Sequence, residues 1–415
     1  MPPRRILLVD CDAFYVQVAR LTDPQGAGRA PLLIVGGSPT GRGVVTSASY
    51  EARAYGVRSA MPTAQALRLC PQATVVPVPR SACVARSREV GTVLRELAPV
   101  VQAASIDEFY LDLSGTERLF HGESLGDTAD RFRREVLRRT EISVSVGGGT
   151  RRVIAKLATR RAKPAGVYVV EPGEEQAFLS TLDLADLPGV GPALVEALRK
   201  RGLVRVEDAL GVQLEWFQAW LGKNRGAWLH RRIRGLDDSE VDPHEARKSI
   251  SSERTFSEDI TGDEDLEIRL LELSRSVAAT LRRKGLRVRT VTVKLRDHDF
   301  RTRVHSRTSP EPIESDAAIH EAALTLLREL RSERRVPARL LGVGLSGLAS
   351  ASEGGQLGLF QEAGTGETER DRRVSHAVDA LRSRFGDDAV LPGRIVDRTH
   401  RRHDPSDDEG STHDE

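Results

Sequence analysis

The first regular pattern in the chain is Arg5-Ile6-Leu7-Leu8-Val9-Asp10, four consecutive apolar residues closed by a carboxylate. A run this short and continuous predicts a buried strand with an acidic end. From Ala13 to Leu21 the apolar positions return at helical spacing, and Ser49 to Leu69 predicts two short helices broken between Gly56 and Pro62. Together these suggest a small helical insertion after the first strand. The stretches Pro99 to Ala104 and Phe109 to Leu113 read as paired strands, with Ser105-Ile106-Asp107-Glu108 at their turn. A helix (Leu125 to Thr140), a strand (Ile142 to Val146) and a helix (Arg152 to Arg161) follow. Strands and helices in this order predict an α+β core.

Two further units follow. Leu187 to Leu203, LPGVGPALVEALRKRGL, places a glycine-rich turn before an apolar-periodic helix, the pattern of a helix-hairpin-helix. Backbone N–H groups around Gly189 and Gly191 would bind a phosphate there without reading sequence, although a purely structural hairpin has the same pattern. Beyond a polar linker, Asp237 to Arg247, the periodicity alternates in the order βαββαβ. The strands are Lys248 to Ser257, Leu286 to Arg296, Arg301 to Ser306 and Arg339 to Leu345; the helices are Asp265 to Lys284 and Ser315 to Glu329. That order suits a small split sheet with helices on one face. After Gly347 the Ser/Gly/Glu-rich composition predicts a largely disordered tail, apart from an amphipathic island at Val374 to Phe385.

Composition changes this picture in three places. A chain of 415 residues should hold more than one domain, and with 39% hydrophobic but only 4% aromatic residues the cores must be aliphatic. Cys11, Cys70 and Cys83 form no metal-type pair, and Ile6 to Val9 is too short for a signal peptide or membrane span, so a reducing, cytoplasmic setting is expected. Charge is uneven: Thr280 to Arg307 carries ten Lys or Arg against two Asp, whereas Asp404 to Glu415 has six acidic residues and no Lys or Arg. A polyanion-binding surface with a solvated tail would have this asymmetry.

The candidate chemistry lies in Ser105-Ile106-Asp107-Glu108-Phe109-Tyr110. Successive side chains of a straight strand point to opposite faces, so Asp107 and Glu108 can serve one site only if the chain bends between them. Two carboxylates at a hairpin tip repel each other, which suits a cation between them. If the first strand is a neighbour, Asp10 joins them, and hard oxygen ligands of that number suit Mg²⁺. Two such ions can activate a 3′-hydroxyl and stabilise a leaving pyrophosphate. Tyr50 and Arg53, three apart on one helix face, and Lys163, ahead of the helix-ending Pro164, would supply a hydroxyl, a fork and a point charge to a triphosphate. Acidic strand ends also occur in ordinary surface turns. Asp12 and Asp112 are expected to cap or face solvent, and Trp216, Trp220 and Trp228 to fill a core.

At this point the sequence resembles the Y-family translesion DNA polymerases, most closely their DNA polymerase IV branch. The matching stretches are VDCDAFY (Val9 to Tyr15), SYEAR-YGV (Ser49 to Val57), SIDEFYLDLS (Ser105 to Ser114), AKLATRRAKPAG (Ala155 to Gly166), LPGVG (Leu187 to Gly191), RKSISSERTF (Arg247 to Phe256) and QLGLF (Gln356 to Phe360). They stand in family order from about residue 4 to 360. The resemblance implies a multidomain right-hand polymerase: a palm (1–167) with small fingers inserted at about 17–75, a helix-hairpin-helix thumb (168–236), a linker (237–247), a little finger (248–348) and a flexible tail (349–415). It implies metal binding by Asp10, Asp107 and Glu108 with the Cys11 carbonyl, two Mg²⁺ per site, and Tyr15 as a gate against a ribose 2′-hydroxyl. Tyr50, Arg53, Lys163 and Ser47 then meet the nucleotide, while Gly189, Gly191, Arg287, Arg289, Lys294 and Arg303 meet DNA. Gln356, Leu357, Leu359 and Phe360 would bind a sliding clamp. One departure stands at Gly148-Gly149-Thr150-Arg151-Arg152, where many members have a Ser-x-Asn-Lys-like run; basicity is kept and the Asn is lost.

The activity implied is error-prone, template-directed extension of primers past damaged bases by a monomer, using deoxynucleoside triphosphates. Small fingers and an open site would select little on pair geometry, and no second carboxylate cluster suggests a proofreading nuclease. The rival reading is a non-catalytic, clamp-bound adaptor of the same fold, which loss of any one of the three carboxylates would favour; all three are present. A nucleotidyl cyclase shares the metal chemistry but would leave the helix-hairpin-helix and basic sheet without a role.

Overall fold

The computed structural model describes residues 3–119, 122–350, 367–386 and 388–395. The chain divides into two compact units, Met1–Glu245 and Ala246–Glu415, within the expected linker. Among the described residues no helix is long and apolar enough to cross a membrane.

The first unit is built on a five-stranded sheet in the order Val100–Ala103, Glu108–Asp112, Ile6–Cys11, Val144–Gly149, Val167–Val169. Only the last pairing is parallel. Ile6–Cys11 lies at the centre and is covered on both faces, which is why its sequence is continuously apolar rather than alternating. Leu7, Val9 and Cys11 pack in one core with residues of the helices Arg80–Leu97 and Leu125–Thr140, while Ile6 and Leu8 join Tyr110 and Ala155 in another. The strand expected at Ile142 to Val146 runs two to three residues later, through three glycines. Its position is set by the helix Arg152–Ala162: a Cβ on Gly147 would lie 2.2 Å from the carbonyl oxygen of Ala155 and the amide nitrogen of Thr159. Those are backbone atoms and cannot step aside. Gly147→Ala is therefore expected to cost about 1–3 kcal/mol, read as a lower midpoint in a urea titration with unchanged slope.

The insertion after the first strand is not purely helical. Besides the expected helices Tyr50–Ala54 and Thr63–Leu69 it holds a three-stranded sheet, Val45–Ala48, Leu33–Gly36 and Thr74–Val76. Strands of three or four residues are too short for a period of two to register, and Leu33 pairs with Thr74, far along the chain. Five short helices between Glu175 and Arg232 follow the sheet and share one aliphatic core. Trp220 and Trp228 pack against that core as expected, but Trp216 does not: it is 58% exposed.

The second unit has the expected βαββαβ order. Its sheet runs Thr302–Ile313, Leu286–Asp297, Ala338–Ser350, Ser249–Ile260, with helices Asp263–Arg283 and Asp316–Glu333 forming the core on one face. The amphipathic island of the expected flexible tail is a longer helix, Glu369–Phe385, held by the sheet unit itself. Buried Arg282 bonds Asp379 at 2.7 and 2.9 Å and Asp316 at 2.8 Å, and Glu367 accepts the N–H groups of Glu314 and Ser315. Composition alone could not reveal those partners, because they are supplied from 50 to 100 residues away.

Candidate active site

Asp10 and Glu108 face each other as Cα partners at the ends of two antiparallel strands. Asp107 occupies the turn between Val100–Ala103 and Glu108–Asp112, so the bend required by the sequence is present. Ser105 pins it: its hydroxyl accepts the N–H of Glu108 at 3.0 Å and donates to the Asp107 carboxylate. The Asp107 carbonyl in turn accepts the N–H of Cys11 at 2.9 Å, tying the turn to the end of the central strand.

Two ammonium groups lie on these carboxylates. Lys163 Nζ is 2.6 Å from Asp10 Oδ1, and Lys156 Nζ contacts both Glu108 oxygens at 2.6 and 2.8 Å. Lys163, expected at a triphosphate, is thus paired with Asp10. Lys156 was not expected at the site; it projects from within the helix Arg152–Ala162, whereas Lys163 caps that helix in an extended conformation. Among the described residues no three His, Cys, Asp or Glu side chains gather into a metal cage. Burial nonetheless pushes the Asp10 carboxyl up to about 6; Lys163 works against that shift, and the Glu108 and Asp107 charges add to it. Such a carboxylate, short of positive charge even with a lysine on it, suits a cation.

Of the residues expected around a nucleotide, Lys163 reaches this centre directly, Tyr15 lies near Asp107 and Tyr50 bonds the neighbouring Asp12. Tyr15, in the first turn of the helix Phe14–Thr22, packs edge-on to Phe14 with ring centres 5.7 Å apart, and burial and then the Asp107 charge push its phenol up. Ala13 before it is left-handed, with φ 42°, a conformation that non-glycine residues rarely adopt. The Arg53 guanidinium lies 5.0 Å over the Tyr50 ring and donates to the Ala48 carbonyl. Ser47 is buried in the insertion's sheet, and Cys11 is a buried strand residue whose thiol burial pushes upward. Asp112 caps a turn, accepting the N–H of Ser114. Asp12 corrects the reading: it neither caps nor faces solvent but is 4% exposed, with both carboxylate oxygens engaged.

The candidate DNA-binding residues divide. Gly189 has φ +93° and backs onto Trp228, so the turn needs a glycine, while a Cβ at Gly191 would meet nothing. Lys294 and Arg296 are on the sheet face away from the helices, Lys294 paired with Glu253 and Arg296 bonded to Thr302; Arg289 is exposed and donates to the Pro310 carbonyl. Arg303 is on the other face, because its register partner is core Leu295. It is committed to fully buried Asp297 at 3.0 Å and to the carbonyls of Leu330 and Arg334. Arg287 turns to Glu314. Strand spacing marks Arg303 as a phosphate ligand, and a buried carboxylate claims it instead, whereas Arg287 stays partly exposed beside Glu314. At the departure from the family run, Arg151 and Arg152 bind the carbonyls of Asp237 and Glu240. The clamp-binding peptide, Gln356 to Phe360, lies outside the described residues.

Comparison with known proteins matches residues 9–160 to the impB/mucB/samB family, residues 247–359 to that family's C-terminal domain and residues 185–237 to the DNA polymerase-iota thumb domain. A DNA polymerase IV of Caulobacter vibrioides is 38% identical over 388 residues, 94% of this chain and 93% of that protein. The chain belongs to the Y-family DNA polymerases. A DNA polymerase IV of Halorhodospira halophila is 40% identical over 345 residues, 83% of this chain and 95% of that one. Among solved structures, a Y-family DNA polymerase chimera of Dbh and Dpo4 superimposes with TM-score 0.75 at 26% identity, covering 83% of this chain and 99% of its own. An insertion ternary complex of Dbh DNA polymerase gives TM-score 0.60, also at 26% identity, over 82% of this chain and 98% of its own. This Y-family polymerase is therefore an enzyme of the DNA polymerase IV branch, and the adaptor reading finds no support.

Proposed function

We propose that this polymerase extends primers past damaged template bases, with low fidelity, by two-metal nucleotidyl transfer at Asp10, Asp107 and Glu108. The observation that carries the reading is the pairing of Asp10 with Glu108 across two strand ends beside the Asp107 turn, with a lysine ammonium on each of the two paired carboxylates. Magnesium held by the three carboxylates and the Cys11 carbonyl would supply the positive charge that activates the primer 3′-hydroxyl and stabilises the leaving pyrophosphate. The chain's own part is to orient. Lys163, Tyr50 and Arg53 grip the triphosphate and Tyr15 lies against the sugar, while the nucleophile comes from the primer. When the site fills, Lys163 exchanges Asp10 for a phosphate oxygen, a shift within reach of one flexible side chain. No Ser, Cys or His nucleophile is required. Gln356, Leu357, Leu359 and Phe360 are assigned to a sliding clamp, which would hold the enzyme near a stalled primer at high effective concentration.

Extension on a template bearing one bulky adduct, with and without a loaded clamp, tests both parts. Wild type is expected to pass the adduct with clamp stimulation, and the Leu359→Ala/Phe360→Ala enzyme to add single nucleotides normally without stimulation. A complete stop at the adduct would refute lesion bypass; retained stimulation would refute the clamp assignment.

The little-finger sheet makes a separate prediction. Neutralising Arg289, Lys294 and Arg296 should lower the slope of log affinity against log salt on duplex DNA by about 0.9 for each phosphate that is no longer neutralised. Arg303→Gln should leave the slope unaltered and instead destabilise the unit by about 1–3 kcal/mol, because it removes one of the two guanidiniums on buried Asp297 while Arg334 keeps the other oxygen paired. An equal change of slope in the two variants would overturn this division.

A further inference from the structure

Asp12 stands one residue past the central strand and is almost wholly buried, yet no Lys or Arg forms an ion pair with it among the described residues. Its charge is held by four neutral donors. Tyr50 Oη and Ser145 Oγ donate to Oδ1 at 3.2 and 2.7 Å; Ser143 Oγ and the Ala165 N–H donate to Oδ2, both at 3.0 Å. A buried carboxylate is tolerated only when its lone pairs are satisfied, so these bonds hold their donors in place as firmly as they hold Asp12. Gln17 fixes the backbone beneath: its amide donates to the carbonyls of Asp12 and Ser143 and accepts the Ser143 N–H at 2.7 Å.

The four donors come from three separate parts of the chain. Ser143 and Ser145 belong to the neighbouring palm strand and its approach. Tyr50 opens a helix of the insertion, and Ala165 follows Lys163 by two residues. Two of these parts therefore carry groups that the proposed function assigns to the triphosphate, Tyr50 itself and Lys163. We propose that Asp12 is a positioning residue for the incoming nucleotide, holding the Tyr50 hydroxyl and the Lys163 turn in register with the carboxylates at the strand end. The bond to Tyr50 is long for an O–H···O contact, whereas that of Ser145 to the same oxygen is of ordinary length. Tyr50 can thus transfer its proton's bond to a phosphate oxygen while Asp12 keeps three donors. The inference deepens the proposed function and rests on it.

Single-nucleotide incorporation on an undamaged template provides the test. Asp12→Ala is expected to raise KM for the matched deoxynucleotide on the order of tenfold with little change in kcat, since it removes binding rather than chemistry. Asp12→Asn should restore KM to within about twofold of wild type, because its amide oxygen can face Ala165 and Ser143 while its NH₂ faces hydroxyls that can accept. In a Tyr50→Phe background the Asp12→Ala penalty should shrink, since part of it acts through that hydroxyl. Should Asp12→Ala fail to fold, Gln17→Ala, which frees the Asp12 backbone and leaves its carboxylate in place, should raise KM in the same way and again less than additively with Tyr50→Phe.

An unchanged KM, failure of Asn to rescue, or penalties that multiply independently with Tyr50→Phe would overturn the proposal. Asp10→Asn assayed alongside separates the two levels. If it is inactive and the Asp12 variants behave as wild type, only the positioning role falls; if it is active, the carboxylate site falls and the Asp12 role with it.

Discussion

Asp10→Asn, Asp107→Ala and Glu108→Ala are each expected to reduce nucleotide addition by on the order of a thousandfold, the scale of several kcal/mol of charge stabilisation removed from the transition state. Primer–template affinity should stay close to wild type, because none of the three lies on the basic sheet or the helix-hairpin-helix. The same site predicts a pH dependence. With its carboxyl pushed up to about 6, Asp10 takes up a proton as pH falls through that value, and a neutral acid no longer attracts a cation. Activity should therefore decline below about pH 6, and more magnesium should move the decline to lower pH, since cation and proton compete.

Stability should run the other way. Between the ordinary value of 3.8 and about 6 the folded chain binds this proton more tightly than the unfolded chain does. Asp10's contribution to stability therefore rises as pH falls across that window. The difference in unfolding free energy between wild type and Asp10→Asn, measured from about pH 7 to about pH 4, isolates that group. Wild type losing stability relative to the variant over that range, or Asp107→Ala extending primers normally, would remove the basis for a cation site here.

Tyr15→Ala should admit ribonucleotides, narrowing the preference for deoxyribonucleotides by on the order of a hundredfold, the discrimination a single pocket contact can supply. The ring is held from behind by Phe14 and lies near enough to Asp107 for that charge to affect its phenol. It is thus placed beside the proposed reaction centre, where a sugar attached to a bound triphosphate would pass. Tyr15→Phe keeps the ring and should keep the preference, so the effect is steric rather than a matter of the hydroxyl. Matched ribo- and deoxynucleotide incorporation by the two variants decides it. An unchanged preference in Tyr15→Ala would place the gate elsewhere.

Much of this architecture follows from local pattern. The run Ile6-Leu7-Leu8-Val9 had to be a covered strand, and the helix Leu125–Thr140 begins and ends where its periodicity does. The βαββαβ order of the second unit is legible because each element is long enough to show its own period. The candidate carboxylates were legible too, since two adjacent acids at a turn between apolar strands repel each other unless a cation joins them. What the sequence left open were the partners of polar groups. Nothing near Asp12 indicates that Tyr50, Ser145 and Ala165 converge on it, and nothing near Arg303 shows that Asp297 is buried on its side of the sheet.

The physical reason is range. Alternation and helical period record which side of an element meets the core, a property of neighbouring residues, and they place apolar groups well. A charge or hydroxyl is satisfied by whichever donor or acceptor folding brings within about 3 Å, and that partner can lie anywhere in the chain. The sequence by itself therefore determined the strands, most helices and the acidic hairpin tip. Only the tertiary structure decided that Lys156 and Lys163 sit on the carboxylates, that Arg303 serves the fold rather than a polyanion, and that Asp12 ties the insertion to the palm.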